Sequence, residues 1–149
     1  MPHYAAAVSS SPHVVVIQFG TDDVLHEKFD EENFTREYLE IITSFKELPS
    51  KPSLYLSIPP PAYNTTALSN SLINVKLPQL CRKIAILADV IIIDVFTLLG
   101  GSSLSNPDAM NELHPNELGY LVMAHEIAAT ISKHENFTLI HHHTDKENR

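Results

Sequence analysis

One short stretch near the carboxyl end of the chain contains the residues best suited to chemistry. It runs from Asn111 to Tyr120 and places His114 two residues ahead of Asn116. Asparagine is among the best residues for capping a helix start, so Asn116 predicts a helix that begins directly after it. Imidazole titrates near neutral pH, so a histidine held rigidly at such a start is suited to general-base chemistry. His114 therefore stands where a catalytic base can be held in position.

The elements that must position this histidine are predicted by the apolar pattern. Three apolar runs of strand length alternate with three apolar stripes at helical spacing. The predicted strands are Val14–Phe19, Leu54–Ile58 and Val90–Asp94. The helical stripes are Phe34, Tyr38, Ile41, Phe45 and Leu48; Ile73, Leu77, Leu80, Ile84 and Leu87; and Tyr120, Met123, Ile127 and Ile131. This alternation predicts a parallel sheet in a three-layer, flavodoxin-like α/β fold.

Polar residues follow the predicted strands. Gly20 and Asp22 follow the first strand, and a proline-rich loop over residues 59–64 follows the second. Asn111 and His114 belong to the loop after the third strand. Because ligands of open α/β sheets gather beyond the carboxyl ends of the strands, we expect these residues to line one shared cleft.

The composition argues against two classes of partner. The 149 residues carry a formal net charge of -8 and no cluster of lysine and arginine, which speaks against a nucleic-acid surface. No apolar run is long enough to span a bilayer, and the first twelve residues lack the charged start and apolar centre of a signal peptide. We therefore expect neither nucleic acid nor membrane as a partner, and the cellular compartment stays unknown.

The length suits a single domain. We expect a flexible segment over residues 1–12, one folded domain over residues 13–134 and a disordered tail over residues 135–149. The three histidines at 141–143, with Asp145, resemble a metal-binding tract, but in such a tail the binding is adventitious. No functional metal and no cofactor is therefore predicted. The single cysteine, Cys81, lies in an apolar helical pattern and is interpreted as a buried structural thiol.

Four blocks of the sequence occur in an order and spacing that indicate a family. They are Ile17–Asp23 (IQFGTDD), Ser53–Tyr63 (SLYLSIPPPAY), Ile91–Gly101 (IIIDVFTLLGG) and the stretch HPNELGYLVMAHEIA that starts at His114. Together, over roughly Pro12 to Lys133, they resemble the SGNH (GDSL-type) esterases and carbohydrate acetylesterases among them. The resemblance implies an SGNH-hydrolase-like fold and hydrolysis of acyl or acetyl esters. It further implies a small ester or acetylated carbohydrate as substrate and His114 as the base.

Three departures from the family's pattern bear on catalysis. Asn111 stands where the family has the aspartate that orients the histidine. Asp22, beside the cleft residue Gly20, stands where the family has an asparagine that donates to the oxyanion, whereas a carboxylate only accepts hydrogen bonds. Around the serines at 9–11, nothing resembles the Gly-Asp-Ser motif that carries the family's nucleophile. The domain is therefore expected to be truncated at its amino end.

These observations leave three interpretations open. The first is an esterase-like domain that lacks the nucleophile block and is weakly active or inactive. The second is a non-catalytic binding or interaction domain derived from such an esterase. The third is a fragment of a longer gene product. In each case the apolar run Val14–Phe19 is expected at an exposed sheet edge, which favours self-association.

Overall fold

The computed structural model describes residues 2–25, 29–63, 66–102, 107–111 and 114–135. In chain order its elements are α1 (Pro2–Ser9), β1 (Val14–Ile17), α2 (Thr21–Leu25), α3 (Glu31–Lys46), β2 (Ser53–Ser57), α4 (Ala67–Ser71), α5 (Leu77–Ala88), β3 (Ile91–Ile93), α6 (Val95–Leu98) and α7 (Glu117–Glu135). One turn of π-helix, Leu72–Lys76, joins α4 to α5, and a 3₁₀ turn, Pro107–Ala109, precedes α7.

The three strands form one parallel sheet in the order β1–β2–β3. Val15 lies opposite Leu54 in the register, and Leu56 lies opposite Ile92. The predicted parallel sheet is thus confirmed, although each strand ends earlier than its apolar run predicts. β2 pairs on both sides, and four of its five residues are buried. That burial is the reason its sequence is almost continuously apolar.

Helices cover both faces of the sheet. On one face, α3 and α5 pack around a core that includes Leu56 and Ile84. On the other face, α7 contributes Met123 to a second core that includes Tyr55. The predicted three-layer α/β fold is therefore confirmed. No helix within the described ranges is both long and apolar enough to cross a lipid bilayer.

A π-helical turn interrupts the helical segment between residues 67 and 88, just before Pro78. Proline has no amide hydrogen, so Pro78 leaves the carbonyl of Asn74, four residues earlier, without its usual helical donor. The hydroxyl of Ser102 donates to that carbonyl instead, at 2.8 Å. Pro78 itself lies in the first turn of α5, where a missing amide hydrogen is tolerated.

The amino-terminal residues differ from the flexible segment that the sequence suggested. Residues 2–9 form α1, which contains three consecutive alanines, the residue with the highest helix propensity. The ring of Tyr4 packs edge-on against that of Phe45, with centroids 6.0 Å apart. Local propensity and one aromatic contact therefore order a segment whose serine-rich end resembles a linker.

Three of the four residues in the stripe predicted for the last helix, Met123, Ile127 and Ile131, pack toward the sheet, and only the first departs from the prediction. Tyr120 is exposed, whereas Val122, Met123 and Ile127 pack toward the sheet. The phase is set by Gly119, which is buried against the backbone of Ala109 and so turns the following residue outward. The predicted disordered tail lies, from residue 136 onward, outside the described residues.

Candidate active site

The residues after β1 form a small pocket at the carboxyl edge of the sheet. Gly20 is buried with φ of +126°, a conformation that side-chain-bearing residues rarely adopt, and an added Cβ would overlap the side chain of Leu77. α2 begins at the next residue, and its Val24 amide donates to the Gly20 carbonyl at 3.0 Å. The pocket has a volume of about 150 Å³. Its lining residues are Gln18, Phe19, Gly20, Thr21, Asp22, Asp23 and Pro59.

Two of the predicted cleft segments therefore meet. Asp22 and Gly20, which follow β1, lie beside Pro59, which follows β2. This is the geometry expected where adjacent parallel strands end at one edge. Asp22 is exposed, so its carboxylate faces solvent at the mouth of the pocket.

Beside this pocket lies a serine that the sequence analysis did not single out. Ser57, at the carboxyl end of β2, is fully buried, and its hydroxyl donates to the side-chain oxygen of Gln18 at 2.7 Å. Gln18 is itself part of the pocket lining. The bond therefore fixes the pocket wall and leaves the hydroxyl engaged. The available signal was position alone, since Ser57 is the one serine in the predicted strand Leu54–Ile58.

The proline-rich loop is held by a second residue that sequence reasoning missed. Asn74 is only 5% exposed. Its side chain accepts from the Ala62 amide at 2.8 Å and donates to the Ala62 carbonyl at 2.6 Å. It also donates to the side chain of Asn70. Asn74 thus clamps the loop through both backbone groups of Ala62. It lies in the turn of π-helix Leu72–Lys76, and single π-helical turns are frequent at functional sites.

A tight loop presents His114. Met110 and Pro115 form an antiparallel bridge, and the Asn111 amide donates to the His114 carbonyl at 2.8 Å. Asn116 then starts α7, because its side-chain oxygen accepts from the Gly119 amide at 3.1 Å. The predicted helix cap is therefore confirmed.

The same asparagine fastens the loop to the preceding turn. The amide of the Asn116 side chain donates to the Asp108 carbonyl at 2.6 Å, and its backbone amide donates to the Ala109 carbonyl at 3.1 Å. Gly119 lies so close to Ala109 that a Cβ at that position would overlap the carbonyl oxygen. These contacts attach the start of α7 to the 3₁₀ turn that precedes it.

The side chains of His114 and Asn111 are both exposed. Within the described ranges their link is through the backbone, and no hydrogen bond between the two side chains is present. Neither residue is among those that line the pocket beside Asp22. A cleft shared by Asp22, Asn111 and His114 therefore stays a prediction.

Titratable groups with clearly shifted pKa values lie outside the pocket. Burial raises the pKa of Tyr55 to about 12, and its 2.6 Å hydrogen bond to Glu135 acts in the same direction. The pKa of Glu135 is lowered, first by the bond from Tyr55 and then by one from Ser53. Burial also raises the pKa of Cys81 to about 12, which agrees with the buried structural thiol predicted from sequence. None of these groups lines the pocket, so they serve packing rather than its chemistry.

A metal centre is not formed by the part of the chain that the structure describes. No group of three or more histidine, cysteine, aspartate or glutamate side chains is arranged there to hold an ion. The histidines at 141–143 and Asp145 lie outside the described residues.

Known structures share this architecture. A GDSL-like lipase from Bacteroides thetaiotaomicron aligns with a TM-score of 0.72 at 21% identity, over 89% of this chain and 69% of that protein. A peptidoglycan O-acetylesterase aligns with a TM-score of 0.75 at 13% identity, over 92% of this chain and 42% of that enzyme. An acetylxylan esterase from Geobacillus stearothermophilus aligns with a TM-score of 0.65 at 15% identity, over 83% of this chain and 61% of that enzyme. At these identities the likeness shows the fold alone.

The sequence comparison identifies the family. No curated protein matches the chain. The sequence profile of the GDSL-like lipase/acylhydrolase family, however, matches residues 2–122. This range includes β1 with its pocket, the proline-rich loop, and the His114 loop with the first turns of α7. The chain therefore belongs to the GDSL-like lipase/acylhydrolase family.

Proposed function

We propose that this chain is a GDSL-type esterase domain that binds a small ester, such as an acetylated carbohydrate, and by itself hydrolyses it weakly or not at all. The observation that carries the proposal is the pocket of Gly20, Asp22 and Pro59, which includes the block that resembles the family's oxyanion segment but has no serine among its lining residues. The related folds include enzymes named for removing acetyl groups from peptidoglycan and xylan. Those names support acetyl esters as the first substrates to try.

The size of the pocket favours a small acyl group. Its volume of about 150 Å³ is below the roughly 300 to 1,000 Å³ that is typical of sites for drug-sized ligands. An acetyl group is compatible with that space, whereas a long acyl chain is not. The carbohydrate part of a substrate would lie outside, where the exposed Asp22 offers a hydrogen-bond acceptor to sugar hydroxyls.

Weak hydrolysis is expected because the serine hydroxyls beside the pocket and in the amino-terminal segment are engaged in other hydrogen bonds. A serine nucleophile needs a base within hydrogen-bond reach. Ser57 is the serine next to the pocket, but it is buried and donates to Gln18 rather than to a histidine. Ser9 and Ser10 donate to backbone carbonyls of α1. No described serine therefore has the contacts of an activated nucleophile.

The two altered family positions act in the same direction. Asp22 replaces an oxyanion donor with an acceptor, and loss of one such donor costs about 3 to 4 kcal/mol in a comparable hydrolase. Asn111 replaces the carboxylate that stabilises a protonated imidazole, a change that lowers turnover about 10⁴-fold in a serine protease. Either change by itself would make this a poor esterase.

Hydrolysis is tested with 4-nitrophenyl acetate and with acetylated xylo-oligosaccharide on the purified chain. We expect rates close to the uncatalysed background, and the same small rate after Ser9, Ser10 and Ser11 are all changed to Ala. Saturable turnover by the unaltered chain, abolished by His114→Ala, would overturn the weak-hydrolysis part of the proposal.

Binding is tested separately by calorimetry with acetylated and deacetylated xylo-oligosaccharide. We expect a preference for the acetylated sugar that Asp22→Arg removes, because the longer side chain fills the small pocket. Glu40→Arg makes the same charge change on the exposed face of α3 and should leave binding intact. If neither sugar binds, the ester-binding proposal fails and the non-catalytic interaction domain replaces it.

Self-association, which the sequence led us to expect, is a separate proposal. It concerns the edge of β1 that does not pair with β2, and it does not depend on ester hydrolysis. The groove that supports it shares Gln18 and Phe19 with the small pocket, and its other lining residues are different.

A further inference from the structure

The outer edge of β1 carries backbone groups with no partner among the described residues. β1 is the first strand in the order β1–β2–β3, so its second edge is open. Natural edge strands are usually protected from pairing by lysine, proline, a bulge or a covering helix or loop. β1 consists of three valines and one isoleucine, and α1 flanks it but leaves Val16 exposed. The edge is therefore chemically ready to accept another strand.

A large apolar groove runs along this edge. It has a volume of about 840 Å³. Its lining residues are His3, Tyr4, Ala7, Val15, Val16, Ile17, Gln18, Phe19, Ile41 and Phe45. Val16 is 37% exposed and Phe19 is 51% exposed, although both belong to the most apolar run at this end of the chain. Exposed apolar surface of this kind marks an interaction site.

The charge distribution points to the occupant. The chain carries a formal net charge of -8, so two copies repel each other over most of their surfaces. The ten lining residues of the groove include no aspartate, glutamate, lysine or arginine. Two copies can therefore meet at this face without like charges opposing each other across its lining. We propose that a second copy of this chain docks here, with the two β1 strands pairing antiparallel to form one continuous six-stranded sheet.

Packing restricts the register of that pairing. Val15 and Ile17 point toward the core under α3 and α5, whereas Val14 belongs to the core on the α7 face. Side chains alternate along a strand, so Val16 points to the α7 face as well. If a two-fold axis normal to the sheet relates the two copies, the α7 face of one copy continues into the α7 face of the other. Residues that pair across the new edge must therefore point to the same face. A register centred on Val16 satisfies this condition and sets Val15 opposite Ile17.

The size of the groove limits the affinity. A standard stable interface uses about 20 to 30 residues on each side, and the groove offers ten. Main-chain hydrogen bonds between the strands add to the apolar contacts, as in other cases of strand addition. We therefore expect a reversible dimer with a dissociation constant on the order of micromolar.

Sedimentation measures this equilibrium directly. The weight-average mass should rise from 16.6 kDa toward twice that value between about 1 and 200 μM. Val16→Lys should hold the mass at the monomer value, because it places two like charges at the dimer axis. Ile86→Lys, on an α5 residue that is 80% exposed, is the matched control and should dimerise as before. Circular dichroism verifies that both variants are folded.

A conservative variant tests the register. Val16→Cys places one exposed thiol at the proposed axis, while the native Cys81 is buried and unreactive. Mild oxidation should convert this variant to a covalent dimer at least tenfold faster than Ile86→Cys at equal concentration.

A sedimentation mass that stays at 16.6 kDa over the whole concentration range overturns the proposal. Dimerisation that resists Val16→Lys, or that is lost in Ile86→Lys, places the interface elsewhere and also overturns it.

Discussion

The polar side chains discussed for the candidate site fall into two groups. Some are engaged in hydrogen bonds within the protein, and others are exposed to solvent. Asn74 and the Ser57–Gln18 pair are buried or engaged in hydrogen bonds; the pair holds the pocket wall at Gln18, and Asn74 holds the proline-rich loop. Asp22 and His114, two of the candidate site residues, are exposed to solvent. The first group holds the backbone around the pocket, and the second contains the candidates for contact with a ligand.

Replacing Asn74 by alanine should lower the free energy of unfolding by about 2 to 3 kcal/mol, because both backbone groups of Ala62 lose their partner in a buried site. Urea unfolding followed by circular dichroism measures the change. Asn33→Ala, on the outer face of α3, is the control and should change stability by no more than about 0.5 kcal/mol. An equally small effect at Asn74 would contradict the clamp.

Restoring the family's residues should not restore catalysis. The double variant Asp22→Asn with Asn111→Asp supplies an oxyanion donor and a carboxylate partner for the imidazole, yet residues of a catalytic unit are far from additive. Without an activated hydroxyl, we expect esterase rates to stay at background with 4-nitrophenyl acetate. Saturable activity that is blocked by a serine-directed phosphonate would show that a nucleophile is present after all.

At the scale of elements, α7 depends on one close approach. Gly119 lets the first turn of the helix lie against Ala109 and Pro115, and this contact sets both the phase of the helix and the position of the His114 loop. Glycine inside a helix is normally a disadvantage, so its presence in the first turn indicates that the space is needed.

Gly119→Ala should therefore destabilise the protein by about 1 to 3 kcal/mol, since the added methyl group overlaps the Ala109 carbonyl. On helix propensity alone, the same change would stabilise the protein by up to about 1 kcal/mol. A measured loss of stability would therefore show that the overlap with Ala109 outweighs the gain in helix propensity. Thermal and urea unfolding give that sign. Ala124→Gly, at an exposed position of the same helix, calibrates the propensity contribution and should cost about 0.5 to 1 kcal/mol.

At the scale of the whole molecule, buried thiol and phenol groups limit stability at high pH, Cys81 and Tyr55 among them. Cys81 and Tyr55 lie on opposite faces of the sheet, and the pKa of each is raised to about 12 from ordinary values of 9.0 and 10.0. Burial favours their neutral forms in the folded state. The unfolded chain loses these protons first, so stability is complete below pH 9 and falls as the pH rises toward 12.

The pH dependence gives a direct test. Between pH 9 and pH 12 the free energy of unfolding of the unaltered chain should fall by up to about 1.4 kcal/mol per pH unit for the thiol alone. Cys81→Ala removes that contribution, so its stability should fall less steeply over the same range. Equal slopes for the two proteins would show that the thiol ionises as readily in the folded chain as in the unfolded one.

Local sequence pattern was sufficient for much of this protein. The β-branched runs, the helical stripes and their alternation predicted the parallel three-layer fold, and Asn116 predicted the start of α7. The four motif blocks predicted the family that the profile match shows. These features were accessible because each depends on residues that are neighbours along the chain, where propensity, capping and periodicity act.

Only the tertiary structure decided how distant residues combine. Asn74 reaches back twelve residues to hold Ala62, and Ser57 engages Gln18 from the adjacent strand, 39 residues away along the chain. The groove beside β1 likewise exists because α1 orders against Phe45 while the strand edge stays open. Nothing in the local pattern encodes these distances, since they follow from the packing of whole elements on the sheet. The sequence alone therefore identified the family and the candidate base, and the fold decided which side chains hold the pocket and which surface is left to bind.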